Sequence, residues 1–278
     1  MSEFPEVLEQ DDLRLRPLRE RDLPDVASQI GDDRVAPWLA VVVRPFDAAQ
    51  ASALLAHSRH PGEDLRLIEL DGTVAGGLCM GHALWYWLAP AHWGRGLMQR
   101  ALNLAITARF ARSAPPLIAT CREDNVASRA LLVRLGFAPS PGSRRVFFQS
   151  TQQAEPCRDY LMAPEQWHLL HPPVFASGGT TLRPARQNDA ATLARMLPPA
   201  SQTGPWPKAE DLPGFIETHR FRGPPEGLFV ILDDNLRSVG MTLVRDKGTE
   251  LRFLSIEDET RHHAEVAEAL GAGLFSAA

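Results

Sequence analysis

Cysteine is scarce in this 278-residue chain, which has three cysteines. Cys79, Cys121 and Cys157 are widely spaced and form no Cys-x-x-Cys pair and no cluster with histidine. Such cysteines are typical of reduced thiols in a cytoplasmic protein, and their spacing excludes a disulfide framework and the common zinc motifs. We therefore expect no bound metal.

Long apolar runs and an excess of basic residues are also missing. No stretch approaches the ~18 apolar residues of a membrane span. The acidic first residues, MSEFPEVLEQDD, lack the basic start and apolar core of a secretion signal. A net charge of −5 argues against a nucleic-acid partner. We expect a cytoplasmic protein of one large or two modest domains that contacts neither membrane nor nucleic acid.

The most informative stretch runs from Leu84 to Arg100, LWYWLAPAHWGRGLMQR. An apolar run, Leu84 to Leu88, predicts a buried strand, and helical spacing of apolar residues begins at Met98. Between them, Gly94 and Gly96 predict a tight turn. The unpaired N–H groups at such a helix start can bind an anion. The stretch lacks both the Gly-Lys-Ser/Thr of a P-loop and the third glycine of a dinucleotide fingerprint.

The whole string narrows this interpretation. Tyr86-Trp87-Leu88, then Pro90, then Trp93-Gly94-Arg95-Gly96-Leu97-Met98, resembles the acyl-CoA pyrophosphate loop of GNAT acyltransferases, in particular of the RimJ/RimL-like branch. The resemblance implies that acetyl-CoA is the cofactor, with CoA as product. An ordinary helix N-terminus after a tight turn is the alternative.

Two further segments resemble the same family. One is Asn125-Val126-Ala127-Ser128 with the later Arg134–Phe137, and the other is Asp159–Met162 with Glu165–Trp167. The remaining patterns predict strands at 13–16, 65–70, 74–80, 84–88 and 117–121, closing strands at 147–148 and 160–162, and helices at 19–30, 47–59, from 98, and at 125–135. The predicted class is therefore α/β (α+β), a GNAT acyl-CoA N-acyltransferase fold whose mixed central sheet is flanked by helices, over residues 1–170.

A linker rich in proline, glycine and serine is predicted at 171–179, and beyond it the pattern begins again. Residues 183–189 match 16–22 at four of seven positions, and a second hairpin pattern follows at 229–240. These echoes predict a truncated, degenerate GNAT-like domain at 180–278. A strand at 251–256 and a helix at 257–270 would continue the copy, with three carboxylates and no glycine where an anion would bind. An unrelated α/β appendage is the alternative.

The resemblance assigns the cofactor contacts. Backbone groups of the glycine turn would hold the pyrophosphate, the strand before it would pair with the pantetheine amides, and the Asn-x-x-Ser block would approach the thioester. The implied cofactor-binding residues are Trp87, Leu88, Ala89, Trp93, Gly94, Arg95, Gly96, Leu97, Met98, Gln99, Asn125 and Ser128. Arg95 and Arg100 are either further phosphate contacts or ordinary surface arginines.

The departing thiolate needs a hydrogen-bond donor. Many family members have a tyrosine for this task at the position of Leu132 here, so the resemblance transfers the role to Ser128. The alternative is a purely structural helix start, in which Asn125 or Asp124 is the N-cap and Ser128 lies in the first turn.

The general base is harder to assign. RimJ/RimL-like sequences often have a glutamate where this chain has Ala83. His82, adjacent to it, belongs to a residue type that titrates near neutral pH and is the candidate catalytic base. Glu69 or a chain of water molecules could serve instead. Trp85 replaces a smaller residue and would fill part of the acceptor cleft.

Three functions remain open on the sequence alone. The leading one is an N-acetyltransferase that moves acetyl from acetyl-CoA to a primary amine, on a protein N-terminus or a small molecule, by direct attack in a ternary complex. Such an enzyme would be a monomer or a homodimer. The second is a non-catalytic acyl-CoA-binding protein with a regulatory or interaction role. The third is a structural protein whose cofactor-like segments are coincidental.

Overall fold

The computed structural model describes residues 5–111, 114–197, 205–224, 226–245 and 248–271, and these fall into two compact units. The first unit holds residues 5–109 and 115–163, and the second holds the other described residues, chiefly those from 164 onward. The predicted domains 1–170 and 180–278 therefore include residues outside those described. The division falls at 163/164, and a short strand occupies 175–177 within the predicted linker 171–179.

The first unit is built on a mixed eight-stranded sheet. Its elements are β1 (Leu8–Gln10), β2 (Leu13–Pro17), α1 (Leu23–Gly31), α2 (Ala48–His57), β3 (Leu65–Leu70), β4 (Thr73–Met80), β5 (Leu84–Leu88), α3 (Leu97–Phe110), β6 (Leu117–Arg122), α4 (Val126–Leu135), β7 (Ala138–Phe148) and β8 (Gln153–Met162). The strand order is β1-β2-β3-β4-β5-β6-β8-β7, antiparallel throughout except for the β5/β6 pair. A mixed sheet with helices is the α/β (α+β) arrangement that the sequence predicts.

Local chemistry explains where the helices of this unit begin and end. The Asp47 carboxylate accepts hydrogen bonds from the N–H groups of Ala49 and Gln50 and caps α2 as predicted. Gly136 ends α4 with φ +93°, the left-handed cap that glycine favours. The predicted helix at 19–30 is divided into a 3₁₀ turn, Glu20–Asp22, and α1.

The closing strands are much longer than predicted. β7 spans 11 residues and β8 spans 10, whereas the apolar pattern indicated short segments at 147–148 and 160–162. β7 lies at the edge of the sheet and most of its residues are exposed. An exposed edge strand needs no alternation of apolar residues, so the pattern misses it.

The second unit contains a five-stranded antiparallel sheet. Its elements are α5 (Pro164–Leu170), β9 (Phe175–Ser177), β10 (Thr180–Pro184), α6 (Ala190–Leu193), α7 (Leu212–Thr218), β11 (Gly227–Leu232), β12 (Ser238–Arg245), β13 (Gly248–Phe253) and α8 (Ile256–Leu270). The order is β13-β12-β11-β10-β9. Apolar side chains cover both faces of this sheet, with α8 on one face and α6 and α7 on the other.

The echoes in the sequence fall at equivalent places of the two sheets. The Arg16 guanidinium donates to both carboxylate oxygens of Asp22, at 2.8 and 2.9 Å. Arg183 makes the same two bonds to Asp189, at 2.8 and 2.7 Å. In both units the strand with this arginine pairs with the first strand of a hairpin, and β1–β5 follow the same order as β9–β13. The tandem interpretation stays a prediction, which this shared order supports.

The described residues include neither a membrane-spanning helix nor a cluster of metal-binding side chains. None of their helices is long and apolar enough to cross a membrane. No group of three or more His, Cys, Asp or Glu side chains among them is placed to hold a metal ion.

Candidate acyl-CoA site

Strands β5 and β6 run parallel but separate along their length. They are paired only at Leu84 and Ala119, whereas β5 pairs with β4 along all five of its residues. Beyond Leu84, the edge of β5 that faces β6 is therefore open within the described chain. We call this opening the β5/β6 cleft.

Alternation along β5 decides which backbone groups face the cleft. The Ala89 N–H donates to the Ala75 carbonyl at 2.9 Å, on the β4 side. The Trp87 carbonyl faces the same side, since a Cβ atom on Gly76 would lie 2.3 Å from its oxygen. Backbone groups of neighbouring residues point to opposite edges, so Leu88 faces the cleft. Of the three predicted pantetheine contacts, only Leu88 presents its backbone there, because those of Trp87 and Ala89 are directed at β4.

The tryptophan side chains hold β5 in place. Trp87 is 3% exposed, and its Nε1–H donates to Gln29 Oε1 at 3.1 Å. Its ring lies directly over Gly77, where a Cβ atom would come within 2.1 Å of the ring. Trp85 stacks on Trp87 with a centroid distance of 5.7 Å and packs against the core under α1 and α2. Trp85 is thus partly buried against that core, and its place in an acceptor cleft stays a prediction.

The glycine turn after β5 has the conformation that the sequence predicts. Gly94 and Gly96 both have φ +73°, a backbone conformation that residues with a Cβ atom rarely adopt. Space is not the constraint, because a Cβ atom at either position would meet no atom within 4 Å. The N–H of Arg100 donates to the Gly96 carbonyl at 3.2 Å, as the helix begins. The N–H groups of 97–99 precede this bond and have no carbonyl partner within α3. Three N–H groups without a partner inside the helix, at the positive end of its dipole, favour an anion.

Trp93 connects the turn to the cleft. Its Nε1–H donates to the Leu88 carbonyl at 2.9 Å, and its ring is 44% exposed. The Leu88 carbonyl therefore already has one donor, while its N–H remains directed into the cleft.

The Asn-x-x-Ser block forms the opposite wall. Asn125 Oδ1 accepts from the Ser128 N–H at 3.0 Å and caps α4. The Ser128 hydroxyl lies 2.7 Å from the phenol oxygen of Tyr86, which projects from β5. Burial raises the pKa of Tyr86 above its ordinary value, so the phenol keeps its proton. Asn125 therefore caps the helix, and the Ser128 hydroxyl still faces the cleft.

A cavity of about 440 Å³ lies between these parts, within the range of small-molecule sites. Most of the predicted contacts line it: Trp87, Leu88, Trp93, Gly94, Gly96, Leu97, Met98, Gln99, Asn125 and Ser128. Ala89 and Arg95 do not line it, and Arg95 is exposed on the turn. Arg100 is directed elsewhere and pairs with Asp12.

The structure does not bring the candidate bases to this cavity. His82 lies exposed in the turn between β4 and β5, at the end of β5 far from the glycine turn. Glu69 accepts a hydrogen bond from the buried Arg16 guanidinium. Among the described residues, Asp124 is the only carboxylate that lines the cavity, and both its oxygens accept from Arg122. Those hydrogen bonds lower the pKa of Asp124.

Sequence reasoning missed several residues of the cavity. Tyr86 was recognised only as part of the motif, and its contact with Ser128 joins residues 42 positions apart. Arg134 on α4 lines the cavity and donates to Gln99 Oε1 at 3.3 Å. His92 also lines it, and its buried Nδ1 makes no hydrogen bond with the described residues. The sequence analysis placed Arg134 in the second family-like block but assigned it no contact with the cofactor.

The comparison with protein families decides what this arrangement is. Residues 12–138 match the acetyltransferase (GNAT) domain family. The chain carries a GNAT acetyltransferase domain. The predicted family and its class of enzyme, an acyltransferase, are confirmed. The match ends within the first unit, so the GNAT domain accounts for the cleft, the glycine turn and the Asn-x-x-Ser block together.

Two solved structures with TM-scores above 0.5 support the same fold for the GNAT domain. A protein of T. thermophilus classed as an acetyltransferase is 23% identical, covers 60% of this chain and 94% of its own, and has a TM-score of 0.51. A second protein of that class is 18% identical, covers 58% and 98%, and has a TM-score of 0.52. Mycobacterium smegmatis RimJ in complex with CoA-disulfide is 24% identical and covers 54% and 81%, with a TM-score of 0.47. No curated protein matches the sequence.

The second unit presents a different helix start. The first turn of α8 carries Glu257, Asp258 and Glu259, and the Ser255 hydroxyl caps it by accepting from the Asp258 N–H at 3.1 Å. These carboxylates complement the helix dipole and would repel a phosphate. The glycine turn of the GNAT domain has no counterpart here among the described residues.

Proposed function

We propose that this chain transfers an acetyl group from acetyl-CoA to a primary amine, on a protein N-terminus or a small molecule, by direct attack in a ternary complex. One observation carries the proposal. A single cavity joins an open strand edge, the unpaired N–H groups of a helix start and a hydroxyl pair, Tyr86 and Ser128.

The residues present fit acetyl-CoA. The N–H groups of 97–99 would bind the pyrophosphate, and Arg134, which lines the same cavity, would add a positive charge. The Leu88 N–H would pair with a pantetheine amide as one strand pairs with another. When bound, acetyl-CoA supplies a thioester carbonyl to the amine and a thiolate as leaving group.

The hydroxyl pair would stabilise the charge that develops on the sulfur. Because Tyr86 keeps its proton, it can donate to the Ser128 oxygen, and the Ser128 hydrogen could then be donated to the leaving sulfur in place of the nearby Cys121 sulfur. The Asn125 cap fixes the first turn of α4 and so the direction of Ser128. Ser128 is the catalytic residue in this account, and Tyr86 positions its hydrogen.

The acceptor amine would reach the site as the free base. The Asp124 carboxylate, which lines the cavity, is engaged by Arg122, and this leaves it a weak proton acceptor. The amine proton would therefore pass to solvent water, as in the water-chain alternative to His82 and Glu69.

The test is a transfer assay with the full chain. Acetyl-CoA is incubated with a panel of primary amines that includes peptides with free N-termini, and release of the CoA thiol is followed. We expect thiol release that depends on both the protein and one class of amine. Binding of acetyl-CoA without release for any amine would contradict the proposal and support the non-catalytic acyl-CoA-binding alternative.

A further inference from the structure

The two sheets have four edges, and three of them are protected against pairing with another chain. β1 and β9 are three residues long, which is too short to template a further strand. β7 contains Pro139 and Pro141, and its register with β8 shifts between Pro139 and Ser143. Short length, proline and bulges are the usual devices that block edge pairing.

The fourth edge, β13, has none of these devices. It is six residues long, contains neither proline nor lysine, and pairs with β12 in an unbroken register from Gly248 to Phe253. An unprotected edge of this length presents a regular row of backbone donors and acceptors.

The pairing of β13 with β12 determines which backbone N–H and carbonyl groups of β13 point away from the sheet edge into the open. The N–H of Leu254 donates to the Val239 carbonyl, and a Cβ atom on Gly240 would lie 2.7 Å from the Arg252 carbonyl oxygen. Even-numbered residues thus direct their backbone toward β12. Thr249, Leu251 and Phe253 direct theirs outward, where no described residue pairs with them.

The side chains of β13 are complementary to a reversed copy of themselves. In an antiparallel pair centred on Leu251, each Glu250 stands opposite Arg252 of the second copy, and each Thr249 opposite Phe253 of the second copy. Opposite charges placed directly across an antiparallel ladder stabilise it. Arg252 has no ion-pair partner among the described residues, and Glu250 has only Arg245, at 3.7 Å. A two-fold axis produces both Glu–Arg pairs at once.

We propose that the chain forms a homodimer in which two β13 strands pair antiparallel about Leu251 and join the five-stranded sheets of two copies into one ten-stranded sheet. The partner is a second copy of this chain, because the Glu250/Arg252 pattern is complementary to itself. This interface belongs to the second unit, so the acetyl transfer proposed for the first unit stands or falls independently.

The first arm of the test is a charge swap on the full-length chain. Sedimentation equilibrium across a dilution series should give the wild-type protein twice the 30.6 kDa mass of the chain. In R252E, a glutamate at 250 of each copy would face a glutamate at 252 of the other copy. The repulsion should separate the dimer, so this variant should give the mass of one chain. E250R/R252E restores opposite charges and should recover the dimer. Circular dichroism melting of each variant shows that it is folded.

The second arm removes an outward backbone donor. The Thr249 side chain is exposed and its N–H faces away from β12, so T249P deletes an intermolecular bond and leaves the β12 ladder intact. The T249P dimer should therefore dissociate at a higher protein concentration than the wild-type dimer. A wild-type protein that stays monomeric throughout, or a dimer that R252E and T249P leave unchanged, would overturn the proposal.

Discussion

The phenol oxygen of Tyr86 lies 2.7 Å from the hydroxyl oxygen of Ser128, across the cleft that opens where β5 and β6 separate. Tyr86 is carried by the strand and Ser128 by the first turn of α4, so the contact ties the two walls of the cavity together. Leu132, at the position where the family resemblance would place a tyrosine, is buried. In the proposed mechanism, the Tyr86/Ser128 pair would supply the hydroxyl donor to the leaving thiolate instead.

Removing the Ser128 hydroxyl should slow the acetyl transfer step. Positioned proton donors contribute about 10²–10⁴ in rate, so we expect S128A to lower kcat within that range and to change the affinity for acetyl-CoA little. Y86F should lower kcat less, since it leaves Ser128 in place. S140A is the matched control, because Ser140 bonds to the Gly142 carbonyl on β7 and should leave kcat unchanged. Equal kcat for S128A and the wild type would contradict the assignment.

Ionisation of the Tyr86 phenol should cause no loss of transfer rate below about pH 10. Burial raises the pKa of Tyr86 above the ordinary tyrosine value near 10, so the phenol stays protonated over the working range. The rate should rise with pH as the acceptor amine loses its proton. A profile of kcat against pH for wild type and Y86F checks this. A falling limb below pH 10 that Y86F abolishes would contradict it.

Gly77 should tolerate no side chain while Trp87 is present. A Cβ atom at this position would lie 2.1 Å from the indole ring, so G77A forces the ring or the strand to move. Overpacking of this kind costs about 1–3 kcal/mol, and chemical denaturation should show a loss of that size or larger. G142A is the control, because a Cβ atom there meets nothing within 4 Å. W87F should recover part of the loss in a G77A background.

The Arg16–Asp22 pair should make the first unit sensitive to acid. Burial alone would raise the pKa of Asp22, but hydrogen bonds from Arg16 and the Arg19 N–H outweigh it and hold the pKa below its ordinary value. A lowered pKa stabilises the fold above the unfolded value of about 3.9, and this stability is lost as pH falls through the folded pKa.

The corresponding variant is D22N, which leaves the buried Arg16 with Glu69 as its remaining carboxylate. Breaking a buried pair costs about 3–5 kcal/mol, so urea unfolding at neutral pH should show a loss of that order, and the loss should shrink below pH 4. D25N, at an exposed position on α1, is the control. A loss that stays constant between pH 7 and pH 3 would argue against the linkage.

The sequence allowed most of the first unit to be predicted, and the reason is visible in particular elements. The glycine turn could be recognised because its φ angles and the helix after it depend on local residue types, Gly94, Gly96 and the apolar spacing of α3. Asp47 and Gly136 were identifiable as caps for the same reason. Only the last two residues of β7, 147–148, were predicted, since the rest of this exposed edge strand carries no apolar alternation.

The parts of the site that were missed depend on contacts between distant segments. The pairing of Tyr86 with Ser128 follows from the separation of β5 and β6, which only the assembled sheet defines. Whether Trp87, Leu88 or Ala89 faces the cleft follows from the β4/β5 register, which the sequence leaves open. His82 was a candidate by residue type and proximity in sequence, yet the cavity is at the other end of its strand.

The most direct measurement is an isothermal titration of the intact chain with acetyl-CoA, alongside G96D and G72D. Gly72 and Gly96 both have positive φ, +77° and +73°, and open space around them, so the two substitutions impose the same backbone demand. G96D alone places a carboxylate at the helix start. We predict one site per chain for the wild type and G72D, and loss of binding for G96D. Unchanged affinity in G96D, or two sites per chain, would contradict the account.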